Sequence, residues 1–313
     1  MRVTLIHNPD SGHGRGATKA DQLIALVRGG GHEVHYQSTK DKDFPSALRE
    51  PADLIVAAGG DGTVTKVAQR LGDDRAMAVL PLGTANNIAH SLGLHGDLDE
   101  MAARWSTASA RRVDLWSAAA GERNFVVLEG CGLGIICDTA AALRGLGDTE
   151  ALSPNSKLAT ARNRLRAIAE NAQPVRARIW CDGAPIDGDF LFVEVLNLPM
   201  VGPRLTLVAG ADFADGLLDV LLLRSDERLA FCNWLDAGAP TSFAARPSLR
   251  CRRVELEFEH GLVRIGDNTF WPGEDKLSAA PVHNIALGPA GRGVDILAPA
   301  LSQARRRSGA STR

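Results

Sequence analysis

The segment Gly59-Gly60-Asp61-Gly62-Thr63 sets one carboxylate among three glycines, directly after the apolar run Asp53–Ala58 and before a helical pattern. Glycines permit φ > 0 and let a phosphate approach the backbone, and a helix start offers free N–H groups and a positive dipole end. A bare phosphate would be repelled by Asp61. The acid suits the loop if a Mg²⁺ bridges the two, or if Asp61 takes a proton. The plain alternative is a tight turn capped by Asp61 and Thr63. The loop is not GxxxxGK[ST], so it is no P-loop, and not GxGxxG, which weighs against a dinucleotide-dependent oxidoreductase. Two further Gly/Asn/Thr-containing segments follow apolar runs: Asn8-Pro9-Asp10-Ser11-Gly12-His13-Gly14-Arg15-Gly16 and Pro81-Leu82-Gly83-Thr84-Ala85-Asn86-Asn87. Three such loops at the carboxyl ends of parallel strands make a nucleotide cleft more economical than three unrelated turns.

Other residues with chemical potential are fewer. Arg15 is the nearest cation to where a triphosphate would sit, and its planar fork suits phosphate oxygens; a solvated loop arginine is the competing reading. Lys66 lies one turn too far along the helical pattern and reads as solvated. Asp212, Asp215 and Asp219 surround Gly216-Leu217-Leu218, and carboxylates mixed with a backbone carbonyl suit a hard cation; acids capping a turn are the alternative. The eight histidines show no metal spacing, and the five cysteines lack any CxxC pair. That pattern fits reduced packing thiols in a cytoplasmic protein and argues against zinc.

The elements that would carry these loops alternate regularly up to residue 112. Strands are expected at Val3–His7, Glu33–Gln37, Asp53–Ala58 and Ala76–Leu80. Helices are expected at Ala17–Val27, Phe44–Arg49, Val64–Leu71 and from Asn87 and Leu98. The near-continuous apolar run at Asp53–Ala58 is the mark of a parallel strand buried on both faces. After Arg111 the rhythm becomes β-rich, with strands at Val113–Trp116, Phe125–Leu128, Val175–Cys181, Phe190–Leu196, Leu217–Leu223, Val254–Phe258 and Leu262–Ile265. Asp182-Gly183, Asp187-Gly188 and His260-Gly261 supply turn signals. Two packed antiparallel sheets follow from this reading, interrupted by one helix, Lys157–Asn171. Val294–Pro299 is a last strand, and the Arg-, Ser- and Gly-rich tail beyond Arg305 reads as frayed.

Composition sets the outer limits. Hydrophobic residues at 45% and charged residues at 23% exclude a disordered chain. Lys+Arg 35 against Asp+Glu 37 leaves a net charge of −2, so no global basic surface draws the protein to nucleic acid. No apolar stretch approaches the roughly 18 residues of a spanning helix, and Met1–His7 reads as a first strand and not as a signal peptide.

Five segments in order carry a resemblance: NPDSGHGRG (8–16), AAGGDGTVTKVAQRL (57–71), PLGTANNIAHSLGL (81–94), NLPMVGPRLTLVAGADFADGLLDV (197–220) and PGE (272–274), the last followed by Pro281, Pro289 and ILAP. Together they resemble the diacylglycerol kinase catalytic-domain family, which includes sphingosine kinases and bacterial soluble lipid kinases. GGDGT alone also occurs in NAD kinases; five motifs in order are far more specific. The resemblance implies a Rossmann-like three-layer α/β nucleotide domain carrying the GGDGT loop (1–112 plus 288–313, the C-terminal segment returning to it) and an antiparallel β-sandwich lipid-binding domain (113–287), with a cleft between them.

By motif position, the resemblance implies that Asn8, Ser11, Gly12, Arg15, Gly59, Gly60, Asp61, Gly62 and Thr63 contact phosphate or its metal, and that Gly83, Thr84 and Asn86 lie beside the nucleoside. It also implies a structural metal on Asp215, the Leu218 carbonyl and Asp219, and a hydroxyl anchor at Asp138, beside Gly130-Cys131-Gly132-Leu133-Gly134. The family's late Asp-Gly-Glu, whose Asp is a candidate general base, is here Pro272-Gly273-Glu274. Proline accepts no proton, so the role passes to Asp61 or Glu274, or Asp267 or Asp275 reaches in, or catalysis is impaired. The expected activity is transfer of the γ-phosphoryl group of ATP, with Mg²⁺, to a hydroxyl of a diacylglycerol-like or sphingoid lipid. The alternatives are a catalytically impaired nucleotide- and lipid-binding protein of the same fold, and an NAD kinase-like enzyme with a soluble substrate. A lipid substrate brings transient peripheral contact with the inner face of the membrane. Arg305–Arg307 is either a headgroup contact or a solubilising tail, no nucleic-acid partner is expected, and a homodimer is an allowed assembly.

Overall fold

The computed structural model describes residues 1–12, 19–72, 75–144, 152–243, 248–266, 268–270 and 283–298. The first part reads β1 (Arg2–His7), α1 (Ala20–Gly29), β2 (Glu33–Ser38), α2 (Phe44–Ala47), β3 (Leu54–Gly59), α3 (Asp61–Ala68), β4 (Ala76–Pro81), α4 (Asn87–Ser91) and α5 (Leu98–Ala103). β1 pairs in parallel with β2 and β3, and β3 with β4, giving the order β2-β1-β3-β4. Because side chains alternate along a strand, each strand feeds two cores. Ile6, Ile55, Ala57 and Val79 pack with Val64, Val67 and Ile88 from α3 and α4. Leu5, Val56 and Leu80 pack on the other face with Leu23, Val27 and Ala102 from α1 and α5. β3 is buried along its whole length, as its continuous apolar run requires.

The second part reads β5 (Ser109–Ala120), β6 (Arg123–Val127), β7 (Gly130–Gly134), α6 (Ile135–Arg144), α7 (Pro154–Asn171), β8 (Val175–Cys181), β9 (Ala184–Leu196), β10 (Met200–Val201), β11 (Leu205–Thr206), β12 (Leu218–Arg224), α8 (Arg228–Asp236), β13 (Leu249–Cys251), β14 (Val254–Phe258), β15 (Val263–Ile265), β16 (Asn268–Phe270) and β17 (His283–Ala298). These strands pair antiparallel and fold over a core of Trp116, Leu133, Phe190, Val195, Leu256 and Ile285, a β-sandwich. Its outer face is covered by helices. Leu165 and Ala169 of α7 and Phe231 and Leu235 of α8 pack on Phe192, Leu221 and Leu223.

Three points differ from the sequence reading. The strands are not in separate sheets: β5 and β17 pair antiparallel from Ala120↔Ile285 to Ser109↔Ala298, and the end of β17 pairs in parallel with β4. One hydrogen-bonded network therefore joins both parts, and the expected boundaries at 112/113 and 287/288 fall inside strands. Two helices besides Lys157–Asn171 stand in the second part, α6 and α8; α8 buries only Phe231, Cys232 and Leu235, a stripe too short to show a clear helical period. Finally, Gly130–Gly134 is a strand. A Cβ at Gly130 or Gly134 would lie 2.2 Å from a β9 carbonyl oxygen, and one at Gly132 would lie 2.3 Å from Glu194 Oε1, so the glycines serve close backbone approach inside a sheet.

Candidate functional site

The parallel arrangement puts the loops after β1, β3 and β4 on one edge, and the backbone locks them together. Asn8 N–H donates to the Ala58 carbonyl at 3.0 Å, and Asn8 Oδ1 accepts from Asp10 N–H at 3.2 Å, closing an Asx turn. Ser11 Oγ accepts from Gly60 N–H at 3.3 Å, and Leu82 N–H donates to the Gly59 carbonyl at 2.9 Å. Gly12, at φ +74°, has no room for a Cβ, which would lie 2.6 Å from the Leu82 carbonyl oxygen. A Cβ on Gly83 would lie 2.6 Å from the Gly60 Cα, and one on Gly59 would lie 2.4 Å from Thr63 Oγ1. Asn86 closes the third loop from a left-handed conformation, φ 51°, which Asn tolerates better than most residues. Its Oδ1 accepts from Gly83 N–H at 2.9 Å and its Nδ2 donates to the Gly83 carbonyl at 2.7 Å.

Asp61 is the first residue of α3, with its carboxylate turned to the neighbouring helix. Oδ2 accepts from Asn87 N–H and Oδ1 from Ile88 N–H, both at 2.9 Å. The first N–H groups of α4 have no partner within that helix, so Asp61 caps it from the adjacent helix. The same loop is clasped from the sandwich side. Arg204 donates from Nε to the Ala85 carbonyl at 3.0 Å and from a terminal nitrogen to the Thr84 carbonyl at 3.2 Å. Asn87 Nδ2 donates to the Gly202 carbonyl at 3.1 Å. Arg162 of α7 holds this turn through the Pro203 and Arg204 carbonyls, both at 3.1 Å. His90, on α4, stacks on His95 with ring centroids 5.7 Å apart, and burial, with Arg204 and His95 nearby, depresses its pKa to about 4.

A cavity of about 280 Å³ begins at Thr84 and Ala85 and continues between α6 and α7, where Ile136, Leu143 and Leu158 line it. The nucleotide-type loops and this mainly apolar cavity therefore share a wall. Arg264 of β15 also lines the cavity, and its guanidinium donates to Glu194 Oε2 of β9 at 2.6 Å. Glu194 is completely buried, and burial pushes its carboxyl above the usual range although Arg264 pulls the other way.

Of the residues singled out in the sequence, Asn8, Ser11, Gly12, Gly59, Gly60, Asp61, Gly62, Thr63, Gly83, Thr84 and Asn86 lie on the three converging loops or the first turn of α3. Arg15, Asp267, Pro272, Glu274 and Asp275 lie outside the described residues, as does the Arg305–Arg307 tail. Lys66 is exposed. Asp138 is half-buried on α6, and burial raises its carboxyl, but the cavity is lined by Ile136, Thr139, Ala140 and Leu143 of that helix and not by Asp138.

The acids considered for a cation engage protein groups. Asp215 pairs with Arg250 and accepts from Leu217 N–H at 2.9 Å. Asp219, buried and raised by that burial, accepts from the Ser248 hydroxyl at 2.6 Å, and Asp212 caps Ala214 N–H at 3.2 Å. Leu218 stands opposite Cys251 in the β12–β13 pair. No group of three His, Cys, Asp or Glu side chains converges among the described residues. The sequence reading missed Arg204, Arg162, Asn87, Glu194 and Arg264. For the last two a signal existed: each is a lone charge inside an apolar strand, Phe190–Leu196 and Leu262–Ile265.

Comparison with known proteins follows the same division. Residues 2–118 match the family described as diacylglycerol kinase catalytic domain, and residues 141–283 match the YegS C-terminal NAD kinase beta sandwich-like domain. A diacylglycerol kinase of Mycobacterium tuberculosis (strain CDC 1551 / Oshkosh) is 27% identical, over 92% of this chain and 95% of its own length. A probable lipid kinase YegS-like protein of Klebsiella pneumoniae (strain 342) is 28% identical over 69% and 73%. Among solved structures, a diacylglycerol kinase from Bacillus anthracis str. Sterne superposes with a TM-score of 0.65 at 18% identity, covering 96% of this chain and 97% of that one. An NAD kinase from Archaeoglobus fulgidus in complex with ATP superposes with a TM-score of 0.51 at 13% identity, over 98% and 96%. With both halves matched in order on the loops and the sandwich described above, the chain belongs to the diacylglycerol kinase catalytic-domain family of lipid kinases, of the diacylglycerol kinase and YegS type.

Proposed function

We propose that the protein transfers the γ-phosphoryl group of ATP to a hydroxyl of a diacylglycerol-like or sphingoid lipid. The observation that carries this reading is the shared wall: Thr84 and Ala85 belong both to the glycine loops and to the apolar cavity. ATP phosphates would lie on the backbone around Gly12, Gly60 and Gly83, where the absence of side chains permits close approach. The N-terminal N–H groups of α3 would face the developing charge. A lipid would enter along α6 and α7 with its hydroxyl at Thr84–Ala85. In the reaction the hydroxyl oxygen forms a bond to the γ-phosphorus, the bond to the β–γ bridging oxygen breaks, and ADP leaves. The hydroxyl proton passes to a carboxylate, Asp61 or Glu274. Mg²⁺ bound with ATP would supply positive charge to the phosphate oxygens.

An NAD kinase-like reading needs a second domain without a lipid-sized apolar cavity, and the cavity beside Ile136 and Leu158 speaks against it. Pro272, in place of the family's Asp, keeps one further reading in view, a decayed site that binds without turning over. The test is an assay of the purified protein with labelled ATP, Mg²⁺, a panel of lipids and NAD. Label in a lipid product is the expected result; label in NAD, or in nothing, overturns the proposal. Pro272→Asp sorts the last case. A large gain in turnover identifies a decayed kinase.

A further inference from the structure

Of the five cysteines, Cys131, Cys137, Cys232 and Cys251 are buried and Cys181 is half-buried. Cys181 is the last residue of β8, at the mouth of the two-residue turn Asp182-Gly183 that leads into β9. Its neighbour across space is Cys251 of β13, a strand paired with β12. A crossover of the chain brings the two together. Cys251 stands opposite Leu218 of β12; two residues on, β14 begins, and its Val254 stands opposite Cys181. The crossover is strapped to the turn. Asp182 N–H donates to the Arg253 carbonyl at 3.0 Å, and the Asp182 carboxylate accepts from Arg252 N–H at 3.0 Å and Arg253 N–H at 2.8 Å. Within that frame the Cys181 and Cys251 side chains hydrogen-bond to each other, and both residues pack against the sandwich core.

We propose that Cys181 and Cys251 are a site of reversible oxidation, joined as a disulfide that braces β13 against β8. A single buried thiol would be a packing residue. Two thiols from different strands, already in contact, need only a small approach to reach the S–S bond length of about 2 Å. Access decides the order of events. Cys181 is the member of the pair that solvent reaches. The hydrogen bond from the Cys251 thiol favours its thiolate and draws Cys181 below the usual thiol range. With hydrogen peroxide as oxidant, the Cys181 thiolate attacks one peroxide oxygen, the O–O bond breaks and hydroxide leaves, giving a sulfenic acid. Cys251 gives its proton to that hydroxide, and its sulfur attacks the Cys181 sulfur. The S–O bond breaks, and the second hydroxide takes up the proton that Cys181 lost. Two thiols are thereby oxidised by two electrons, and one peroxide is reduced to two waters. A dithiol reverses the step by exchange. The brace ties down a short edge: β13 has three residues, pairs with β12 and carries Arg250, the partner of Asp215.

The experiment treats the full chain with hydrogen peroxide, then unfolds it, alkylates it and maps its cysteines by mass spectrometry. The expected result is a peptide pair joined through Cys181 and Cys251, with Cys131, Cys137 and Cys232 alkylated as free thiols. Dithiothreitol should release the pair. The oxidised chain should melt roughly 5 °C or more above the reduced one, since the bridge closes a loop of about 70 residues in the unfolded chain. Cys251→Ser should stop at the sulfenic acid, captured on Cys181 by dimedone, and Cys181→Ser should form no bridge. Free Cys181 and Cys251 after peroxide, a bridge to any other cysteine, or Cys181 carried to the sulfinic acid alone overturns the site. A mapped bridge with an unchanged melting temperature overturns the brace. If a serine variant does not fold, the wild-type map and melting temperature decide.

Discussion

Asp61 is at once an acid in a phosphate-type loop and the cap of a five-residue helix. These two roles separate experimentally. Asp61→Asn keeps one carbonyl acceptor and turns an amide N–H₂ toward the other backbone donor. Thermal unfolding should report a loss of about 1 kcal/mol, the scale of a helix cap. If the same carboxylate takes the proton, lipid phosphorylation should fall by about 10²–10⁴ in that variant; full turnover in a folded Asp61→Asn would remove Asp61 from the chemistry. Gly83 gives a steric test. Its Cβ position lies 2.6 Å from the Gly60 Cα, whereas Gly210 has nothing within 4 Å. Gly83→Ala should weaken ATP binding at least about tenfold in a nucleotide titration, since loops that touch through backbone must part, and Gly210→Ala should leave it unchanged.

At the level of elements, the cleft depends on the turn between β10 and β11 clasping the loop before α4. Arg204 supplies two of those hydrogen bonds, so Arg204→Ala should cost about 1–3 kcal/mol in chemical denaturation and lower the affinity for ATP and lipid together. His90 makes the same region sensitive to pH. Its folded pKa is about 4, below the ordinary 6.5, so between those values the unfolded chain binds the extra proton. Stability therefore falls as pH drops from about 6.5 toward 4. His90→Gln should flatten the melting temperature over that range. The elements also show what a sequence can convey. β1, β3 and β4 announce themselves because burial on both faces demands continuous apolar runs, and the loops after them stand out by composition. The clasp was hidden because Arg204 donates to main-chain carbonyls, which carry no residue signature. β7 was hidden because Gly130, Gly132 and Gly134 look like a loop until the strands they touch are in place.

For the whole molecule, β5 and β17 are the structural link, since each runs from the α/β sheet into the sandwich. Two domains were legible from the change in rhythm after residue 112; one shared hydrogen-bonded network was not, because pairing across such distance leaves no local pattern. That link holds the glycine loops and the apolar cavity in fixed register at Thr84 and Ala85, which is why the two are read as a single site. The most direct test of this claim blocks the cavity and leaves the loops alone. In Ala140→Phe, on the α6 wall, phosphoryl transfer from ATP to dioctanoylglycerol should fall at least about tenfold while ATP affinity stays at the wild-type value. Undiminished transfer to the lipid in the folded variant would contradict the account.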